Sequence, residues 1–213
     1  MRYLICCLSV FVAMLAPALA HAGAQIYEPM SASVRAALHK AVSDQAVPYL
    51  AFTSESEGSA WLAAMSQRLA RRFPDRTVRE ELLVTVHYEA KRAGLDPQMV
   101  LGLIQVESAF RKYAVSTAGA RGLMQVMPFW VGVIGNNEDN LFHLRTNLRF
   151  GCVIMRHYLD MEKGDLFRAL GRYNGSLGRP EYPNMVLRAW REWAYAPPGG
   201  EVVKTQGSAP PAR

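Results

Sequence analysis

The chain has 213 residues, 50% hydrophobic and 20% charged, with a formal net charge of +6. That length suits one domain with a proper core. Its Lys and Arg residues are spread along the chain rather than gathered into a run with interleaved aromatics, which argues against a nucleic-acid partner.

The first two dozen residues read as a secretory leader. Met1-Arg2 is a minimal basic start, Tyr3 to Leu19 is uncharged and largely apolar, and Ala20-His21-Ala22 offers an A-x-A cut before Gly23. A cut after Ala20 fits almost as well. The competing reading is an uncleaved anchor, since the uncharged run approaches the roughly 20 residues that span a bilayer. Pro17 and the small residues favour cleavage and therefore a periplasmic location. Cleavage leaves Cys152 as the only cysteine, in an apolar helical context that suits a small buried hydrophobe. An exported basic chain fits a polyanionic envelope polymer through long-range attraction. His39, His87, His143 and His157 are isolated, so no metal or other cofactor is expected.

From Ser31 to Tyr195 nearly everything reads as helix. Ser31 to about Ala46 carries Val34, Leu38, Ala41 and Val42 on one side, and 53–59 looks like a polar linker. Trp61–Phe73 is amphipathic, with Leu62, Met65 and Leu69 inward. Thr77–Ala93 sets Val78, Leu82 and Val86 inward and closes at Gly94. Asp96-Pro97 is an N-cap followed by proline at the first helical position. The helix it opens places Val100, Leu103, Ile104 and Glu107 on one face.

A carboxylate that continues an apolar stripe is misplaced, paired, or held there for chemistry. Burial and the negative end of the helix dipole both raise its pKa, as a general acid near neutral pH requires. The plainer alternative is a surface Glu paired with Arg111 four residues on.

Beyond Phe110 the stretch 116–125 is small and Gly-rich, either backbone that approaches something closely or an ordinary turn-rich loop. A polar loop over 135–140, helices over Thr146–Met161 and Gly164–Tyr173, a turn-rich break at 174–178 and a last helix over Asn184–Trp193 complete the folded part. No strand pattern of useful length appears, so the expected fold is all-α. The expected division is a leader over 1–22, an N-terminal helical extension over 23–76, a main domain over 77–195, and a Pro/Gly-rich disordered tail over 196–213.

Three motifs stand in order: Glu107-Ser108, Gly122-Leu123-Met124-Gln125, and Ala169-x-x-x-Tyr173-Asn174. Ser116, Gly119-Ala120 and Met127-Pro128 flank the second, and Asp96-Pro97, Asn147 and Gly151 fall at fitting places. From about Thr77 to Trp193 the chain resembles the soluble-lytic-transglycosylase-like domains of family 1, relatives of goose-type lysozyme. The resemblance implies a lysozyme-like helical fold with a groove for peptidoglycan glycan strands. It implies cleavage of the β-1,4 bond between N-acetylmuramic acid and N-acetylglucosamine without added water. Glu107 would act first as general acid and then as base on the muramoyl C6 hydroxyl, giving a 1,6-anhydro end. Ser108 resembles a hydroxyl that contacts sugar, Met124 and Gln125 a groove segment that binds an N-acetyl group, and Tyr173 the phenol that orients Glu107, with Asn174 beside it. Tyr182 is a further groove aromatic in this reading.

Taken singly, Tyr173 could equally be a core aromatic, Met124 a gap-filler and Asn174 a turn residue. The alternatives for the whole are a muramidase, which needs a second carboxylate from Glu138, Asp139 or Asp165, and a non-catalytic peptidoglycan-binding component. The N-terminal helices and the tail leave room for an envelope or secretion-machinery protein partner, which no residue names; a monomer is the expected state.

Overall fold

The computed structural model describes residues 25–196. The predicted leader and nearly all of the predicted tail lie outside them. Among the described residues there are eight helices: α1 (Ala32–Val42), α2 (Glu55–Leu69), α3 (Arg76–Arg92), α4 (Pro97–Ser108), α5 (Phe129–Ile134), α6 (Leu144–Met161), α7 (Leu166–Asn174) and α8 (Glu181–Glu192). Extended pairing is limited there to isolated bridges, Val115 with Arg121 and Arg121 with Val126. The fold is all-α, as the sequence predicts.

Side-chain caps explain most helix starts. Asp75 accepts from the backbone of Thr77 and Val78 to open α3, Asp96 from Met99 to open α4, and Asp165 from Arg168 to open α7. Each supplies an acceptor to a helix end whose N–H groups have none of their own.

Several boundaries differ from expectation, and α1 and α2 each end four residues early, at Val42 and Leu69. The polar stretch expected as a linker is the first turn of α2: Ser54 caps it through Glu57, and Glu55 and Glu57 sit at its positive end. The short helix α5 was not expected. Its six residues are too few to show a period, and tertiary packing of Trp130 and Ile134 sustains it. Helix α8 starts three residues before Asn184, because Pro183 falls in the first turn, where no backbone donor is needed. Val78, expected inward, is exposed near the start of α3.

Helix α4 is the buried axis of the molecule: Val100, Leu101, Leu103 and Ile104 are fully enclosed. It packs chiefly on α8, and Gly102 makes the approach close. A Cβ at Gly102 would lie 2.7 Å from the backbone nitrogen and 2.9 Å from the Cα of Trp190. Helix α7 bridges α6 and α8.

The N-terminal helices share this core. Val42, Trp61, Met65 and Leu69 belong to the same apolar cluster as α4 and α6. His87 of α3 lies stacked on Phe52 and edge-on to Trp61, and burial pushes it down to about 4, so it packs as a neutral ring. Fully buried Glu89 binds Arg149 at 3.1 Å and Arg92 at 2.9 Å, while Arg149 and Arg92 also hold the carbonyls of Val42 and Ala41. One ionic hub thus fastens α3, α6 and the end of α1 together.

Candidate active site

Glu107 is 3% exposed, on the last turn of α4. The chain turns sharply behind it, with Ala109 and Phe110 both left-handed at φ 49° and 60°. Such residues cost roughly 1–2 kcal/mol each, so surrounding contacts must hold them. Phe110 is held by edge-on contact with Trp193, ring centres 5.6 Å apart. Burial pushes the Glu107 carboxyl up to about 8, and a hydrogen bond from Tyr182 only partly offsets that rise. At neutral pH Glu107 is therefore protonated. Tyr182 donates to Oε1, and Oε2, fully enclosed, has no hydrogen-bond partner among the described residues. With Oε1 accepting, the acid proton belongs on Oε2. Arg111 does not pair with Glu107; its Nε donates to the Ser108 carbonyl.

The loop over 122–127 is held from within. Asn147 of α6 clamps it: Oδ1 accepts from the Met124 backbone at 2.8 Å, and Nδ2 donates to the carbonyls of Arg121 and Leu141, each at 2.8 Å. The Met124 side chain lies directly on Gly151, where a Cβ would come within 2.7 Å of the Met124 Cβ. Gln125 is left-handed at φ 47°. Its side chain turns inward and donates to Gly122 at 2.8 Å and Ala114 at 3.2 Å.

The predicted residues therefore sort into two groups. Glu107 and Tyr182 meet directly. Met124 and Tyr173 meet each other: the Tyr173 hydroxyl donates to the Met124 carbonyl at 2.8 Å. The phenol expected to hydrogen-bond Glu107 was Tyr173, and that expectation is corrected: the donor is Tyr182. The early start of α8, pressed onto α4 at Gly102, brings Tyr182 there. Both phenols are pushed well above their usual range, first by burial and then by the Glu107 charge that appears once that carboxyl ionises at higher pH. Both remain neutral donors. The Ser108 hydroxyl donates to the Ile104 carbonyl at 3.2 Å, and Asn174 ends α7 against a left-handed Gly175.

Sequence reasoning missed one participant. Gln25 is 4% exposed, its amide donates to the Gln125 carbonyl at 3.2 Å, and its oxygen accepts from Met127 N–H at 3.1 Å. A lone Gln after small residues carries no motif that could have signalled this.

Residues 85–183 match the family model described as Transglycosylase SLT domain. Over this segment, a little under half of the chain, the protein is similar to that family. The SLT region contains Glu107, Ser108, Met124, Gln125, Tyr173, Asn174 and Tyr182; Gln25 lies outside it. A membrane-bound lytic murein transglycosylase C of Actinobacillus pleuropneumoniae is 52% identical over 52 residues, 24% of this chain and 14% of that protein. A transglycosylase of Enterobacteria phage PRD1 is 31% identical over 111 residues, 49% of this chain and 41% of the phage protein. The matched part thus spans less than half the length of either relative. Among solved structures, an inactive mutant of the lytic transglycosylase Slt of Pseudomonas aeruginosa aligns with a TM-score of 0.42 and 22% identity, over 62% of this chain and 28% of that one.

Proposed function

We propose that the chain is a peptidoglycan lytic transglycosylase that cleaves the β-1,4 bond between N-acetylmuramic acid and N-acetylglucosamine and leaves a 1,6-anhydromuramoyl end. The observation that carries this reading is the state of Glu107: buried, protonated at neutral pH, one oxygen held by Tyr182 and the other without a partner among the described residues. In the first step the Oε2 proton passes to the glycosidic oxygen, and the C1–O bond breaks with its electron pair going to the departing N-acetylglucosamine. In the second, the Glu107 carboxylate takes the proton of the muramoyl C6 hydroxyl as O6 bonds to C1. The acid is regenerated and no water is consumed. A carboxyl near 8 reaches both protonation states close to neutral pH, as one group serving both steps requires.

The muramidase alternative needs a second carboxylate. Its three candidates are otherwise occupied or solvated: Asp165 caps α7, Asp139 accepts from Asn136 in its own loop, and Glu138 is exposed. The raised pKa of Glu107 is caused by burial, not by a neighbouring carboxylate. Ser108, Met124, Gln125, Tyr173 and Asn174 supply the groove around the sugar in this reading, with Tyr182 orienting the acid. The names of the relatives, lytic murein transglycosylase and transglycosylase, support the substrate class and an envelope location. Export to the periplasm through a cleaved leader agrees with both. No helix among the described residues is long and apolar enough to cross a membrane. Incubating the purified protein with isolated sacculi and releasing soluble muropeptides tests the activity; a protein that pellets with sacculi but releases none is a glycan-binding component instead.

A further inference from the structure

We propose that Gln25 is a positioning residue of the groove, supplied from outside the SLT region, which sets substrate binding by holding the loop over 122–127. Its amide is used at both ends: Nε2 donates to the Gln125 carbonyl and Oε1 accepts from the Met127 backbone. The Tyr173 phenol donates to the Met124 carbonyl of the same loop. One side chain, that of Gln25, therefore joins the loop at two peptide groups.

The loop needs such a restraint. Gln125 is left-handed without being glycine, and no regular secondary structure runs through it. Its inner side is fixed by Asn147 and by the Gln125 side chain, while Gln25 fixes the Gln125 carbonyl and the Met127 N–H. A buried N–H or carbonyl left without its partner drives the backbone to rearrange.

The segment that delivers Gln25 is anchored independently of it. Tyr27 packs edge-on against Phe129 with ring centres 5.9 Å apart, and Glu28 pairs with Arg172 of α7 at 2.7 Å. Changing Gln25 alone therefore alters the restraint on the loop without detaching the segment. The hydrogen bonds of Gln25 reach neither Glu107 nor Tyr182, so its effect falls on binding rather than on proton transfer.

The inference rests on the lytic transglycosylase reading, and the test separates the two. Gln25→Met keeps length and apolar bulk while removing the hydrogen bonds. Turnover of sacculi by Gln25→Met is compared with wild type, and sacculus binding is measured in a Glu107→Gln background with and without Gln25→Met. The expected result is a KM about fivefold higher and binding about fivefold weaker, as for loss of one or two buried hydrogen bonds. The melting temperature falls by only a few degrees, leaving the protein folded at the assay temperature, and the pH dependence of kcat stays as in wild type. Gln25→Glu, whose protonated carboxyl again both donates and accepts, regains binding relative to Gln25→Met as pH falls. Unchanged KM and binding would overturn the inference, as would a loss that merely follows a lower melting temperature. Tighter binding with faster turnover would also overturn it, since the segment would then obstruct the groove. Hydrolytic products from the wild type would instead sink the reaction assigned above, and the binding arm would still decide the role of Gln25.

Discussion

At the scale of single residues, the proposed chemistry depends on keeping a proton on Glu107. Burial raises this carboxyl to about 8, so the acid form needed for the first step is lost as pH rises through that value. The kcat/KM profile on sacculi should therefore have a descending limb near pH 8. Tyr182 lowers the Glu107 pKa by its hydrogen bond, so Tyr182→Phe should move that limb to higher pH while reducing turnover about tenfold through lost orientation. A limb that stays in place in the variant would show that Tyr182 does not hold the acid. The burial of Glu107 was legible because this carboxylate continues an apolar stripe. Its partner was not: the family resemblance pointed to Tyr173, and only the α4–α8 contact distinguishes the two phenols. The inward turn of the Gln125 side chain was equally hidden, because it follows from a left-handed backbone that the residue type does not announce.

At the scale of elements, the site exists because α8 lies against α4. Gly102→Ala places a methyl within 2.9 Å of the Trp190 backbone, so α8 must move outward. The expected cost is about 1–3 kcal/mol, as for overpacking a filled core, read as a lower urea midpoint. Because Tyr182 rides on α8, the same variant should lose lysis beyond what its stability explains. Wild-type activity would mean that α8 need not be so close. The Asp-capped helix starts, those of α3, α4 and α7, were legible to within a residue or two. Two others were not: α5 is too short to show a period, and the first turn of α2, although capped by Ser54, has a polar sequence that imitates a linker while Gly58 is buried against Phe52.

At the scale of the whole molecule, the N-terminal helices and the SLT region form one packed body. The fully buried Glu89 is a main joint between them. Glu89→Ala leaves Arg149, itself nearly buried, without its counter-ion, and should destabilise the fold by about 3–5 kcal/mol in chemical denaturation. A change under about 1 kcal/mol would mean that water reaches the hub and stands in for the carboxylate.

Stability also carries the signature of Glu107. Its folded pKa lies above the unfolded value, so the native state binds more protons between about 4.5 and 8. The stabilising contribution of the proton is complete below that window and declines as pH rises through it. Glu107→Gln removes this dependence.

The central claim is that one carboxyl, Glu107, serves both proton transfers without water. Mass spectrometry of the muropeptides released from purified sacculi tests it most directly, with wild type compared against Glu107→Gln. The account predicts 1,6-anhydromuramoyl ends from the wild type and none from the variant, which keeps its fold and still binds sacculi. Reducing muramic acid ends from the wild type, or undiminished release by Glu107→Gln, would contradict it.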